Sequence, residues 1–358
     1  MPRSNAELLA SFDAGKVPAL ARAVSVVENH RSGYDELLGA LHSRTGRARR
    51  IGITGPPGAG KSTVTALLVA NYRKAGFKVG VLAVDPTSPF TGGALLGDRV
   101  RMEAVALDDG VYIRSMATRG SLGGLAAATR EVADVLDAFG FDRIIIETVG
   151  VGQSELDVAR TADSTVVVLV PESGDAIQTL KAGVMEIADI FVVNKADRPG
   201  ADRLRNDVEL MLGLRKGVSF GSMPAHHGVE LKSVNPAKIA RDAAKTESDE
   251  WTPPVLSAIA RDGKGIDELA DALDRHFAYL ERTGRLAERR RERTRERVME
   301  LVESSFRGRI WSDEATRQRL ERMLPDIEKR TTTPFNAAEQ ILGESAGLIS
   351  SERGKGTR

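Results

Sequence analysis

Cysteine is absent from this chain of 358 residues. That absence excludes disulfide scaffolds, thiolate metal sites, iron–sulfur clusters and cysteine nucleophiles. Long apolar stretches are also missing, since no run approaches the roughly 18–20 residues of a membrane-spanning helix. Neither sign of charge is in clear excess, because 51 Lys and Arg side chains face 50 Asp and Glu. Overall charge therefore gives no reason to expect a nucleic-acid or a membrane partner.

The beginning of the chain lacks the apolar core of a secretory signal peptide. Glu7 and Asp13 argue against a transit peptide, because such peptides are poor in acidic residues. We therefore expect a cytoplasmic location. Hydrophobic residues make up 41% of the chain and charged residues 28%, which is typical of a soluble globular protein.

The hydrophobic pattern predicts an α/β domain over residues 46–280. Short β-rich runs alternate there with helical stretches, and these runs are 51–54, 79–84, 111–114, 143–147, 165–170 and 190–194. The runs at 143–147 and 165–170 do not alternate between apolar and polar residues, as expected for strands buried on both faces of a parallel sheet. The pattern predicts a doubly wound, mostly parallel sheet.

Two helical segments are predicted to flank this domain. Residues 1–45 form an N-terminal helical arm of two or three short amphipathic helices, and residues 281–358 form a C-terminal helical extension. Residues 213–250 lack clear periodicity and are predicted to be an insertion in the domain. The run 281–300 is rich in Arg and Glu, which indicates either a solvated helix face or a surface for an acidic partner, and we favour the solvated face.

A glycine-rich loop lies between the run at 51–54 and a helical stretch. It matches the pattern G-x-x-x-x-G-K-[ST] and consists of Gly55, Pro56, Pro57, Gly58, Ala59, Gly60, Lys61, Ser62 and Thr63. In such a loop, glycines let backbone N–H groups surround a phosphate, and the following helix N-terminus favours negative charge. Lys61 is predicted to reach the β- and γ-phosphates, and Ser62 to offer its hydroxyl to Mg²⁺. The segment is therefore predicted to be a phosphate-binding loop, or P-loop.

The sequence Asn194-Lys195-Ala196-Asp197 stands at the end of the run at 190–194. An aspartate in this motif accepts hydrogen bonds from the N1–H and N2–H₂ groups of guanine, whereas adenine presents no such pair of donors. The motif is short, but it follows a P-loop at a strand end of the same predicted sheet. It therefore predicts that Asp197 reads guanine and that the nucleotide is GTP or GDP rather than ATP.

A loop after the last predicted strand is expected to close the base pocket with a backbone N–H to guanine O6. Two registers are open. One is the literal pair Ser257-Ala258, and the other is Ile259-Ala260 followed by Arg261, which counting back from the next Gly-x-Gly selects. We favour Ala260 as the donor.

Acidic residues at predicted strand ends are candidates for a Mg²⁺ site, because the carboxyl ends of parallel strands face the nucleotide crevice. Asp85 directly follows the run at 79–84, and Asp98 lies in the glycine-containing loop after it. Glu147 is the last residue of the run at 143–147. Together with Ser62 they are the predicted metal ligands, Glu147 through a water molecule. Gly150 is predicted to donate its N–H to the γ-phosphate.

Two further groups of residues allow more than one interpretation. Asp175, Gln178 and Lys181 follow the run at 165–170 and belong either to a mobile switch or to the start of a helix. His226 and His227 are adjacent but stand in a polar segment without partner ligands, and a chain with five His and no Cys is poorly equipped to carry a transition metal.

With these residues assembled, the chain resembles the GTPases associated with methylmalonyl-CoA mutase, formerly described as arginine/ornithine transport ATPases, within the SIMIBI class of P-loop GTPases. The resemblance extends over most of the chain and rests on the segments RIGITGPPGAGKST, DPTS, GDRVRM, ETVGVGQSE, NKADR and WTPPV. The combination of ETVGVGQSE with DPTS is its most specific part. Glu147, where most GTPases have Asp, also resembles the nickel-insertion GTPases of hydrogenase and urease, whose Cys and His clusters this chain lacks.

The resemblance implies a homodimer whose C-terminal helices form much of the contact. It implies a chaperone that binds an adenosylcobalamin-dependent acyl-CoA mutase, gates entry of the cobalamin cofactor and protects the mutase, with slow GTP hydrolysis that the client accelerates. It places Asp85 and Asp98 in a first switch, Glu147 and Gly150 in a second, and Asp175, Gln178 and Lys181 in a third. The candidate catalytic residues are Lys61, Asp98, Glu147, Gln178 and Lys181.

Two departures from the family pattern are the insertion at 213–250 and Ile259, where Ser is usual. Val151 rather than Gln follows Gly150, so we expect slow intrinsic hydrolysis. The alternatives are a kinase of a transport-binding protein, a nickel or cobalt insertion factor, and a module that binds GTP without turning it over.

Overall fold

The computed structural model describes residues 5–85, 102, 105, 107–117, 124–148, 154–171, 185–215 and 250–344. Within these ranges it leaves out the side chains of residues 85, 117, 124–126, 154–156 and 214–215. The chain forms two compact units, Met1–Arg289 and Arg290–Arg358. The first unit holds both the sheet and the N-terminal helices of the predicted arm.

Seven strands of the first unit form one sheet. They are β1 Arg49–Thr54, β2 Val79–Asp85, β3 Val111–Ala117, β4 Arg143–Thr148, β5 Ser164–Leu169, β6 Ile190–Asn194 and β7 Val255–Ala258. Their order is β3-β2-β4-β1-β5-β6-β7, and each neighbouring pair is parallel. The predicted doubly wound parallel sheet is confirmed.

The central strands are buried on both faces, which explains why their sequences do not alternate. Every residue of β4, β5 and β6 is buried. One apolar core contains Leu68 and Leu269 from two helices together with strand residues such as Ile53. A second core contains Leu20 and Leu136 together with strand residues on the other face of the sheet. Helices therefore cover both faces, as in other α/β proteins with parallel sheets.

Helices make up most of the remaining described chain. They are α1 Asn5–Asp13, α2 Val17–Glu28, α3 Tyr34–Leu41, α4 Lys61–Lys74, α5 Gly124–Phe139, α6 Ser154–Thr161, α7 Met185–Ile187, α8 Ala201–Arg215, α9 Ile266–Arg282, α10 Arg285–Ser312, α11 Glu314–Glu328 and α12 Pro334–Glu344. Helix α8 extends to Arg215, so the first residues of the predicted insertion are helical, and the rest of it lies outside the described residues. No helix in the described ranges has the length and apolar content that a membrane crossing requires.

The link between the N-terminal helices and β1 is fixed by the buried carboxylate of Asp137 on α5. It accepts hydrogen bonds from the backbone N–H groups of Gly46 at 2.7 Å, Arg47 at 3.1 Å and Ala48 at 3.0 Å. Three such bonds satisfy the carboxylate without water. They fix the start of β1, the strand that leads into the P-loop.

A second buried carboxylate, Asp189, lies at the opposite edge of the sheet from the P-loop, just before β6. It accepts the backbone N–H of Thr165 at 2.9 Å and two guanidinium N–H groups of Arg289 at 2.9 and 3.1 Å. The Nε2 atom of His276 lies 3.2 Å from it, and the Nδ1 atom of His276 lies 2.8 Å from Ser164 Oγ. Strands β5 and β6, helix α9 and the start of α10 meet in this cluster.

The order Ser164–His276–Asp189 has the connectivity of a hydrolytic triad, but its burial excludes that function. Ser164 is 2% exposed and His276 is fully buried, so no substrate reaches the hydroxyl. Trp251 covers the histidine ring, with the ring centres 4.7 Å apart. The cluster is therefore a buried polar network that connects core elements, and such networks are stable when their members are hydrogen-bonded.

Burial alone would raise the pKa of Asp189, but the hydrogen bonds from His276 and Arg289 outweigh burial and hold this pKa below its ordinary value. A carboxyl whose pKa is lower in the folded than in the unfolded chain stabilises the fold above its unfolded pKa, about 3.9. This stabilisation is lost as the pH falls through the lower, folded pKa.

We therefore expect Asp189→Asn to lower the free energy of unfolding at pH 7 by about 1–3 kcal/mol, because Arg289 and His276 lose a charged acceptor. The difference from the wild-type chain should shrink below about pH 4, where protonation weakens the wild-type contact as well. Denaturant unfolding between pH 7 and pH 3 measures it, with the exposed Asp271→Asn as the control. A difference that is constant with pH would show that the carboxylate charge is not responsible.

Candidate functional site: a crevice at the carboxyl edge of the sheet

The pairing of the central strands brings the predicted motifs to one edge of the sheet. Ile53 of β1 is paired with Glu147 of β4, and Thr54 is paired with Val167 of β5. Asn194 of β6 is paired with Ala258 of β7. Because all these strands are parallel, the loops that follow them open into the same crevice.

The P-loop places the ammonium group of Lys61 inside its own turn. Lys61 is 6% exposed, and its Nζ atom donates to the carbonyl oxygens of Gly55 at 2.9 Å and Pro56 at 3.0 Å. Helix α4 begins at Lys61, so the free N–H groups of its first turn lie next to the loop that holds the ammonium group. This arrangement favours a phosphate, since both the helix N-terminus and the lysine attract negative charge.

Ser62 and Glu147 form a buried pair of oxygen groups beside the P-loop. The Ser62 hydroxyl donates to Glu147 Oε1 at 2.6 Å, and the two residues are 7% and 4% exposed. Hydroxyl and carboxylate oxygens are the ligands that Mg²⁺ prefers, and Mg²⁺ usually retains several waters. The chemistry of this pair fits a magnesium ion bound directly by Ser62 and through water by Glu147.

Asn194 connects the P-loop to the loop after β7. Its Nδ2 atom donates to the carbonyl of Ala59 at 2.8 Å, and its Oδ1 atom accepts the backbone N–H of Ala260 at 3.1 Å. Asn194 is 3% exposed, so both bonds are shielded from water. The sequence placed Asn194 at the site, but no sequence signal indicated these two partners.

A pocket of about 210 Å³ lies between these two loops. It is lined by Gly60, Thr63, Asn194, Lys195, Asp197, Arg198, Ile259, Ala260 and Arg261. All except Arg198 were predicted from the sequence as binding residues. Arg198 directly follows the N-K-x-D motif, and this position is the signal that could have indicated it.

The pocket lining contains one of the two candidate pairs from the last loop. Ser257 and Ala258 belong to β7, and Ser257 is exposed outside the pocket lining. Ile259 and Ala260 line the pocket, and a bridge between Ile259 and Lys264 closes the loop. The Ala260 N–H donates to Asn194 Oδ1, so a guanine O6 at this place has to share that donor or compete for it.

Several predicted site residues lie outside the described part of the chain. They are Asp98, Gly150, Asp175, Gln178, Lys181, His226 and His227. The backbone of Asp85 ends β2 at the same edge of the sheet as the P-loop, but its side chain is not described. Among the described side chains, no group of three or more His, Asp and Glu is placed to hold a metal ion by itself.

Comparison with known proteins gives consistent results. A family model described as "Methylmalonyl Co-A mutase-associated GTPase MeaB" matches residues 20–315. A Pyrococcus abyssi protein named as a GTPase is 45% identical over 95% of this chain and 97% of its own. The mouse protein "Methylmalonic aciduria type A homolog, mitochondrial" is 31% identical over 92% of this chain and 76% of its own. The crystal structure of an "LAO/AO transport system kinase" matches with a TM-score of 0.66 and 26% identity, over 96% of this chain and 99% of that one.

The contact between Gly60 and Asn194 gives a prediction. Gly60 has a φ of +86°, and a Cβ atom there would overlap Asn194 Nδ2. Gly76 has the same φ, but a Cβ atom there meets nothing within 4 Å. We expect Gly60→Ala and Gly76→Ala each to cost about 1–2 kcal/mol of stability from the backbone conformation.

Only Gly60→Ala should also weaken GDP binding, by about ten- to hundredfold, because it displaces the buried amide that holds both loops. Thermal unfolding and GDP titration of the two variants measure these effects. Equal GDP affinities in the two variants would contradict the role assigned to Asn194.

Proposed function

Since the chain belongs to the MeaB family of methylmalonyl-CoA mutase-associated GTPases, and is accordingly a P-loop GTPase, we propose that it is a chaperone of an adenosylcobalamin-dependent acyl-CoA mutase, with methylmalonyl-CoA mutase as its client. It gates loading of the cobalamin cofactor and protects the mutase from inactivation. The family match and the name of the mouse relative support this client. The observation that carries the GTPase mechanism is the pocket that P-loop residues Gly60 and Thr63 line together with Asp197, next to the Lys61 and Ser62–Glu147 contacts of the same P-loop.

The phosphates of GTP are held by residues 55–63. In the structure the Lys61 ammonium group donates to two loop carbonyls, and it turns to the β- and γ-phosphate oxygens when the nucleotide enters. The N–H groups at the start of α4 surround the β-phosphate. Gly150 donates its N–H to the γ-phosphate.

A magnesium ion completes the phosphate site. Ser62 would hold it directly, Glu147 would hold one of its waters, and Asp85 and Asp98 of the first switch would contribute further oxygen ligands. When bound, Mg²⁺ neutralises charge on the β- and γ-phosphate oxygens. The hydrogen bond of 2.6 Å from the Ser62 hydroxyl to Glu147 Oε1 supports this assignment, because it brings together the two oxygen groups that would hold the ion and its water.

The base is recognised between the loops that follow β6 and β7. The Asp197 carboxylate accepts N1–H and N2–H₂ of guanine, and the Ala260 N–H donates to O6. Asn194 fixes the distance between the two loops and the P-loop, while Lys195 and Ile259 enclose the ring and Arg261 lies at the edge of the pocket. Adenine lacks the donor pair that Asp197 requires, so ATP is a poor ligand.

Hydrolysis proceeds by positioning of water and by charge neutralisation, with Gln178 and Lys181 of a third switch in support. Val151 occupies the place just after Gly150 where a water-orienting glutamine would stand in other GTPases. Intrinsic turnover is therefore slow, and contact with the client accelerates it.

A homodimer is the proposed assembly, in the cytoplasm. Helix α10 exposes six large apolar side chains, which are Val298, Met299, Leu301, Val302, Phe306 and Trp311. Val298, Val302 and Phe306 are four residues apart and share one face of the helix. A contiguous apolar face of this kind is typical of a protein interface.

The name of the solved relative favours a second candidate, a kinase that passes the γ-phosphate to a protein. Such a kinase would transfer label from γ-labelled GTP to a protein acceptor. A GTPase releases the label as inorganic phosphate, so the two functions are distinguished by the labelled product.

The mutase role predicts that purified methylmalonyl-CoA mutase accelerates GTP turnover in a saturable way, because client contact completes the switch residues. Release of inorganic phosphate with increasing mutase measures this effect. Lys61→Ala in place of the wild-type chain is the control, and it should show no turnover with or without mutase.

Tight GTP binding without any acceleration would contradict methylmalonyl-CoA mutase as the client. Related acyl-CoA mutases would then be tested in the same assay.

A further inference from the structure

At the base pocket, the guanidinium group of Arg261 lies between two carboxylates. The Nη2 atom of Arg261 lies 3.7 Å from Asp197 Oδ2, and its Nε atom donates to Asp262 Oδ1 at 3.0 Å. The guanidinium hydrogen bond holds the pKa of Asp262 below its ordinary value. Arg261 is thus placed between the predicted guanine reader and a second acid that does not line the pocket.

The backbone that carries Arg261 is held in a closed loop. Ile259 and Lys264 form an antiparallel bridge, with Ile259 N donating to Lys264 O at 3.0 Å. Asp262 N donates to Ile259 O at 2.9 Å, which closes a turn of 3-10 helix. The side chain of Arg261 therefore projects from a fixed point, although it is itself 77% exposed.

The backbone that carries Asp197 is fixed against the same loop. Ala196 N donates to Ala258 O at 3.0 Å, directly beside the last strand pair. Lys195 has a φ of +58°, and Arg198 N donates to Lys195 O at 3.0 Å, so the chain turns tightly around Asp197. The ion pair between Arg261 and Asp197 consequently spans two loops whose backbones are already docked.

This geometry assigns the guanidinium a task different from contact with the base. The Asp197 carboxylate has to present both oxygens to two donors of the base, and it is 36% exposed, which leaves it rotatable. Asp262, the second carboxylate that Arg261 contacts, carries a charge of the same sign as Asp197. A cation between the two acids offsets their repulsion and attracts one Asp197 oxygen from the side.

We propose that Arg261 is a positioning residue for guanine recognition, which orients the Asp197 carboxylate toward the base pocket and thereby sets the affinity for guanine nucleotides. The proposal rests on the proposed role of Asp197 as the guanine reader. Arg261 acts through Asp197, so its contribution requires the Asp197 negative charge and declines when salt screens that charge.

A double-mutant cycle tests this dependence. The dissociation constants of GDP and of xanthosine diphosphate (XDP) are measured for the wild-type chain, Arg261→Met, Asp197→Asn and the double variant. XDP carries an oxygen where guanine has its N2 amino group, so an amide at position 197 can read it. Arg261→Lys, which keeps the charge, is the conservative variant, and each titration is repeated at about 1 M salt, where the screening length falls to about 3 Å.

We expect Arg261→Met to weaken GDP binding about two- to fivefold at low salt, the range of an exposed ion pair, with little loss at high salt. Arg261→Lys should retain most of the affinity. In the Asp197→Asn background, Arg261→Met should leave XDP binding unchanged, because no carboxylate remains to be oriented.

Three results would overturn the proposal. Equal losses of GDP binding and of XDP binding in the two backgrounds would show that Arg261 contacts the base or supports its loop directly. A loss of GDP affinity in Arg261→Met that persists at high salt would show the same. Unchanged GDP affinity in Arg261→Met would show that Arg261 has no part in recognition. Failure of the wild-type chain to bind GDP would instead overturn the proposed function itself.

Discussion

The nucleotide site depends on one buried amide, that of Asn194. Its two hydrogen bonds, to Ala59 of the P-loop and to Ala260 of the loop after β7, join segments at the ends of three different strands. A buried amide is stable only when both its N–H donor and its oxygen acceptor are hydrogen-bonded. The three segments are therefore held at the distances that these two hydrogen bonds require. The distance between the phosphate end and the base end of the crevice is set in this way. Gly60 is required beside this amide because any Cβ atom would overlap it.

The two edges of the sheet have different roles: the amino edge stabilises the fold, and the carboxyl edge carries the candidate site. At the amino edge, the buried carboxylate of Asp189 accepts hydrogen bonds that connect strands and helices. The buried carboxylate of Asp137 fixes the start of β1 at the same edge. At the carboxyl edge, the Lys61 ammonium group donates to the backbone carbonyls of Gly55 and Pro56 in the P-loop. The same separation is general in parallel α/β folds, where ligands bind outside the carboxyl ends of the strands.

Local patterns made much of this predictable from the sequence. The apolar runs gave the strands because buried parallel strands have no polar face, and the P-loop and N-K-x-D motifs indicated Lys61 and Asp197 because each is a short segment with fixed geometry. The glycines that follow Ala260 favoured the pair Ile259-Ala260, and this pair lines the pocket. The partners of Asn194 and the ion pair of Arg261 join positions far apart in the chain, which no local pattern encodes.

The central claim, that this crevice reads guanine through Asp197, is tested most directly by the nucleotide preference of Asp197→Asn. The account predicts that the wild-type chain binds GDP more tightly than XDP, and that the variant reverses this order, because an amide offers the base a donor where the carboxylate offered only acceptors. Asp207→Asn is the control, since Asp207 on α8 is 37% exposed, close to the 36% of Asp197. An unchanged preference for GDP over XDP in Asp197→Asn would contradict the account.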